Sequence, residues 1–203
     1  MTNINHVTIE VADVSAAQTF YDAALGLGEL IRVAASETPS TGFRGFTLSA
    51  IVGQPSTVQS LVDSAVAAGA TILKPAEKSM WGFGGAVRAP DGTVVTVATS
   101  NKKEIGPATR TIDSVVLLLG VNDVKASKQF YVDHGLTVGK SFGSYAEFEM
   151  PGSPISLALY KRKALAKTAG LDEAGTGSHR LLIGGDSGEF VDPDGFVWVP
   201  QRH

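Results

Sequence analysis

The chain has 203 residues, of which 43% are hydrophobic and 18% charged, with a formal net charge of −3. A chain of this size buries roughly two thirds of its unfolded surface and needs no covalent staples. No basic cluster exceeds Lys161-Arg162-Lys163, which argues against a nucleic-acid partner and against an anionic membrane surface. No apolar run reaches the ~18–20 residues of a membrane helix. Residues 1–6 lack the basic-then-apolar order of a secretory signal, and the absence of cysteine removes disulfides, thiolate metal sites and thiol nucleophiles. The expectation is a cytoplasmic protein with neither a membrane nor a nucleic-acid partner.

In chain order, His6 to Val11 reads as a strand. Asp13 then opens a helix as N-cap, with Val14, Ala17, Tyr21 and Ala24 on one face. Gly26-Leu27 stops it, and a Ser/Thr/Pro-rich loop follows at Ala35–Gly42. An amphipathic helix comes next, with Val58, Leu61, Val62, Ala65 and Val66 as its stripe, Ser56 or Thr57 as cap and Gly69 as stop. Trp81-Gly82-Phe83-Gly84-Gly85 is a Gly-rich stretch without the Lys-Ser/Thr ending of a phosphate loop. Pro90-Asp91-Gly92 then turns into the strand Thr93–Val97, a strong hairpin signal. Ser100 to Pro107 is a polar linker ending in Gly-Pro.

The second half repeats the plan of the first. Ile112 to Leu119 reads as a strand, Asp123 to Tyr131 matches Asp13 to Tyr21 in Asp, Val, Ala, Phe and Tyr, and Gly135-Leu136 is the stop. Core packing accounts for both Phe-Tyr pairs. A hairpin follows, Tyr145–Met150 and Ile155–Tyr160, and then a loop at Lys163–Gly177. His179 begins the strand Arg180–Ile183, and Pro193-Asp194-Gly195 precedes Phe196–Val199. The first half has a helix where the second has a hairpin, so each half lacks what the other keeps. The organisation expected is a first half over 1–100, a linker over 101–110, and a second, abridged half over 111–203.

The order of strand, Asp-capped helix with Phe-Tyr, Gly stop and terminal Pro-Asp-Gly hairpin, occurring twice, resembles the vicinal-oxygen-chelate superfamily of glyoxalase, bleomycin-resistance and extradiol dioxygenase proteins. The resemblance touches nearly the whole chain. It implies an α+β fold, with paired βαβββ-type units forming curved mixed sheets around a cavity, and it implies a homodimer. Members bind a divalent metal through His and Glu, or bind none and sequester a small molecule. At the family's ligand positions this chain carries His6, Ser114, Thr96 and Val199, and the strand Ile155–Tyr160 holds no carboxylate. One ligand of four survives, so the expectation is no metal cofactor. The alternative is an irregular site for Zn, Ni, Mn or Fe, built from His6, His179 and Glu149.

Period-two alternation puts His6, Thr8 and Glu10 on one strand face, and Tyr145, Glu147 and Glu149 on another. Ser114, Val116 and Leu118 are mostly apolar, as are Val115, Leu117 and Leu119, so that strand reads as buried on both faces. The pocket expected has one polar and one apolar side. Its candidate ligand-binding residues are Thr8, Glu10, Trp81, Phe83, Arg88, Tyr145, Tyr160 and His179. Trp81, Phe83, Tyr145, Tyr160 and Trp198 offer stacking surfaces, though packing suits Trp198, and Arg88 can grip an anion. The leading functional expectation is metal-independent binding of a small, partly apolar molecule. The second is a lyase or isomerase acting on a small carbonyl compound, with His6 or Glu147 as base or with the irregular metal site. A third is an interaction module with a vestigial pocket.

Overall fold

A computed structural model describes residues 2–200; His203, one of the four histidines, lies outside the described residues. Four units of one plan follow one another along the chain. The first is β1 (Ile4–Val11), α1 (Val14–Thr19), a π-helical turn (Phe20–Ala24) and β2 (Ile31–Ala35). After a two-residue β3 (Thr41–Gly42), the second comprises β4 (Phe46–Ile51), α2 (Pro55–Ala67), β5 (Thr71–Ser79), β6 (Gly82–Arg88) and β7 (Val94–Thr99). The third comprises β8 (Ser114–Val121), α3 (Val124–Asp133), β9 (Thr137–Phe142), β10 (Tyr145–Glu149) and β11 (Ile155–Lys161). A short α4 (Arg162–Thr168) and β12 (Gly175–Thr176) lead to the fourth, which has β13 (Leu181–Gly185), β14 (Phe190–Val191) and β15 (Val197–Pro200) but no helix.

In each unit the first strand lies parallel to the last: β1 with β2, β4 with β7, β8 with β11 and β13 with β15. The second and third units are whole βαβββ motifs, whereas the first lacks the middle hairpin and the fourth lacks the helix. They pair in a nested way. Strand β4 runs antiparallel to β8, joining the second unit to the third, and β1 runs antiparallel to β13, joining the first to the fourth. The single pair Ile4–Ile155 links the two assemblies into one mixed sheet.

Local chemistry explains the helix ends. Asp13 accepts the Ala16 amide at 2.9 Å, and Asp123 accepts those of Lys125 and Ala126, so both are side-chain N-caps. Gly26 and Gly135 take φ of 68° and 90° just past the helices, where a side chain would strain the backbone. Helix α2 departs from expectation. Its N-cap is Gln54, without a side-chain cap bond, because Pro55 takes the first helical position and has no amide to satisfy. Ser56 instead gives its amide and hydroxyl to Glu104. The buried Gln54 side chain clasps the inter-half segment through Ile105, Gly106 and Pro107.

One apolar core gathers the helices against the sheet faces turned toward them, with Phe20, Tyr21, Leu61, Tyr131 and Trp198 fully buried. The two Phe-Tyr motifs do more than fill space. Tyr21 donates to Asp91 of the Pro90-Asp91-Gly92 turn at 2.8 Å, and Tyr131 donates to Asp192, also at 2.8 Å. In both halves the helix of one unit is thus tied to the terminal turn of the next. Burial and the adjacent carboxylates push both phenol hydroxyls far up, so they stay protonated donors. No helix among the described residues is long and apolar enough to cross a membrane.

Candidate functional site

The faces turned away from the helices differ between the two assemblies. On the second–third face, β4 presents Thr47 and Ser49, β7 presents Thr96 and Ala98, β8 presents Val116 and Leu118, and β11 presents Ser156, Ala158 and Tyr160, as their cross-strand registers require. Part of this face is plugged. Helix α4, rich in the good helix formers Ala, Leu and Lys, lays Leu165 and Ala166 into a second apolar cluster with Phe43, Ala86, Val94 and Ala169. The segment was expected to be loop. Beneath the plug the Thr47 hydroxyl is buried without a hydrogen-bond partner.

The unplugged remainder is a cavity of about 370 Å³. Ser49, Thr96 and Ala98 are among its floor residues, Leu118 and Tyr160 form one side, and Leu165 and Thr168 of α4 close one end. Lys74, Glu77 and Trp81 come from β5 and the turn after it. Gly84 pairs with Ala98 and leaves the floor low there, because it adds no side chain. Thr96 donates its hydroxyl to Ser49 at 2.8 Å. The Ser49 hydroxyl therefore keeps its own proton for an acceptor in the cavity. Trp81 is 84% exposed at the rim.

The first–fourth face has a different character. His6, Thr8 and Glu10 lie on it, as alternation predicts, beside Arg32, Leu182 and Val199. The His6 ring lies over Gly184, where an added Cβ would come within 2.4 Å of it. Arg32 stands 3.3 Å from His6 Nε2. A guanidinium only donates, so Nε2 is an acceptor and the imidazole is neutral with its proton on Nδ1. The lone pair a general base would use is already engaged. Burial first, and then Arg32, lower the His6 pKa below its ordinary value. Between the lowered value and the ordinary one near 6.5 the unfolded chain binds more protons than the folded one. Stability should therefore decline as pH falls through that window, and His6→Gln should flatten the decline, measured as Tm against pH for both proteins.

The residues expected to share one pocket are thus divided. Trp81, Phe83 and Tyr160 border the second–third cavity, though the Phe83 ring packs against the main core. His6, Thr8 and Glu10 belong to the other assembly, so the polar strand and the apolar strand β8 do not face each other. Tyr145 meets the edge of Tyr160 at 5.9 Å and donates to Glu147 at 3.1 Å. Burial and the Glu147 carboxylate push its hydroxyl up to about 12. Arg88 lies outside the cavity, beside Arg44 and the Pro90-Asp91-Gly92 turn. Strand β8 is not buried on both faces along its length: Ser114 is exposed, and Val116 and Leu118 are half-buried.

The irregular metal triad does not assemble. His179 lies in a 3₁₀ turn over Ser178–Arg180, before the strand it was expected to begin. Because Ile9 pairs with Leu181 and His6 with Gly184, His179 sits at the far end of β1 from His6, roughly 12–16 Å away at the strand rise. Glu149 is exposed on β10 of the third unit, paired with Thr137. Among the described residues no three His, Asp or Glu side chains are grouped to hold a cation. On the cavity floor the neutral hydroxyls of Ser49 and Thr96 stand beside apolar groups, a donor set that does not fit a divalent metal.

Sequence reading did not single out Ser49, Lys74, Leu165 or Thr168 as site residues. The alternation of Phe46, Leu48 and Ala50 with Thr47 and Ser49, ahead of a helix, is the signal that marks β4 as a unit-opening strand.

No family profile matches the chain, and no curated protein matches it in sequence. Solved structures do match. Glyoxalase I from Zea mays aligns over 98% of this chain and 92% of its own, at 13% identity and a TM-score of 0.64. A Bacillus subtilis protein proposed to be a dioxygenase aligns over 90% of this chain and 69% of its own, at 13% identity and a TM-score of 0.54. At such identities the likeness is one of fold.

Proposed function

We propose that this chain, which has the fold of the glyoxalase and bleomycin-resistance proteins, binds a small, partly apolar molecule with a planar ring in the cavity between its second and third units. The carrying observation is the cavity itself: about 370 Å³, with hydroxyls at its floor, Tyr160 and Leu118 at its side and Trp81 at its rim. Apolar walls with a few placed polar groups are the usual design of a small-molecule site. Ser49, with a hydroxyl proton to spare, favours a ligand that buries a carbonyl or other acceptor there. Trp81 has little reason to be exposed unless it covers something, and a ring is its natural partner. No metal takes part in this reading, because the floor offers no imidazole or carboxylate.

The test is a titration of the protein with a panel of one- and two-ring aromatic compounds carrying a carbonyl or carboxylate, followed by tryptophan emission and calorimetry. A saturable quench in the parent, absent in Trp81→Phe, places the ring at the rim. Affinity in Trp81→Phe is expected to drop about tenfold, within the range for loss of an aromatic contact. If no member of the panel binds below millimolar concentration, the reading fails. Turnover of a bound carbonyl compound would move it to the enzyme class.

A further inference from the structure

The two long connections, from first to second unit and from third to fourth, cross where β3 pairs with β12. Arginines crowd the crossing. Arg180, only 6% exposed, donates to the Thr38 and Ser36 carbonyls at 3.0 Å each, and its Nε is buried without a partner. Arg44, 9% exposed, donates to the Asp91 carbonyl and, at 3.4 Å, to the Thr93 hydroxyl. The two guanidiniums are close enough to repel, and neither is hydrogen-bonded to a carboxylate. The acid beside Arg44 is Asp91, whose oxygens already accept from the Tyr21 hydroxyl and the Thr93 amide.

In front of Arg44 lies a second cavity of about 310 Å³, lined by Ser40, Thr41, Arg44, Arg88 and the Pro90-Asp91-Gly92 turn. Arg88 is exposed, and its side chain makes no hydrogen bond or ion pair among the described residues. Gly92 keeps the guanidinium accessible: a Cβ there would sit 3.2 Å from Arg44 Nη2. Carbonyl capping accounts for Arg180, but it leaves the spare donors of Arg44 and the whole of Arg88 unassigned. A buried guanidinium whose neighbouring carboxylate is already engaged by other donors keeps N–H groups for an oxyanion, since little water screens it.

We propose that this cavity is an oxyanion site, separate from the ring-binding cavity, in which Arg44 and Arg88 grip a carboxylate or phosphoryl group from two sides. Asp91 opposes one negative charge; Arg44, Arg88 and Arg180 outweigh it three to one. Ser40 and Thr41 add hydroxyls at the wall.

The full chain is titrated with inorganic phosphate against sodium chloride at equal ionic strength, while the arginine Nε–H resonances and Tm are followed. Saturable shifts at Arg44 and Arg88, with a Tm gain above the chloride control, are expected. Arg88→Gln, at an exposed position, should keep the parent Tm without phosphate and bind it about tenfold more weakly. Acetate in place of phosphate distinguishes the sources: equal occupancy of the same resonances assigns carboxylates, and phosphate alone assigns phosphoryl groups. A response no different from chloride, or phosphate affinity unchanged in both Arg88→Gln and Arg44→Lys, overturns the proposal.

Discussion

Ala98→Phe should abolish ligand binding in the second–third cavity while leaving the protein folded. Ala98 stands on the cavity floor, two residues from Thr96 and opposite Gly84, whose missing side chain leaves the space into which the new ring would turn. The ring enters a void instead of a packed core, so the overpacking cost of ~1–3 kcal/mol seen in tight interiors should largely be spared. Binding has no such latitude, because a phenyl group and a ring-bearing ligand compete for the same 370 Å³. An affinity loss beyond about a hundredfold, about 2.7 kcal/mol, is expected, read by calorimetry beside a denaturation curve. Ligand that still binds Ala98→Phe with parental affinity is held elsewhere. The first–fourth face with His6 and Arg32 would then be the place to look.

The second large effect concerns the fold. Asp192→Ala is expected to cost about 3–5 kcal/mol in urea denaturation, because it strands several buried donors at once. The carboxylate accepts the Phe196 amide at 2.8 Å, the Asp194 amide at 2.9 Å and the Tyr131 hydroxyl at 2.8 Å. Trp198 donates in turn to the Tyr131 oxygen at 3.3 Å. Asp192→Asn keeps the acceptor oxygen for the two amides and should lose only about 1 kcal/mol. Burial raises the Asp192 pKa more than these bonds lower it. The folded carboxyl thus holds its proton to a higher pH than the unfolded one. Its contribution is full below the ordinary aspartate value and declines as pH rises through the raised one. Asp192→Asn should remove that component of the pH dependence, read as Tm against pH for the variant and the parent.

Much of the fold was legible because its marks are local. Asp13 and Asp123 cap helices by bonding amides two or three residues ahead, and Gly26 and Gly135 stop them through their own φ angles. The Asp-Gly turns at 91–92 and 194–195 join antiparallel strands, as that dipeptide directs. The recurring Phe-Tyr and Pro-Asp-Gly marks pointed to a repeated plan. That Tyr21 bonds Asp91 and Tyr131 bonds Asp192 is a contact between units, which spacing along the chain does not announce.

The candidate site was less legible, for a reason visible in β1 and β8. Alternation correctly placed His6, Thr8 and Glu10 together, and Val116 with Leu118, because side-chain direction repeats every two residues within a strand. It carries no information about which strand lies beside which. The polar face of β1 and the apolar face of β8 therefore do not line one cavity: β1 pairs with β13 and β8 with β4. The same blindness hid Ser49 on β4 and the helix at the start of the expected loop Lys163–Gly177, since a seven-residue helix is marginal until Leu165 and Ala166 are buried. The sequence by itself determined the strand–helix–Gly opening of each half, the Asp13 and Asp123 caps and the two Asp-Gly turns, all set by residue chemistry over a few neighbours. Only the tertiary structure decided the nested pairing, the α4 plug and the separation of His6 from Trp81 and Tyr160, because those depend on which distant surfaces bury one another.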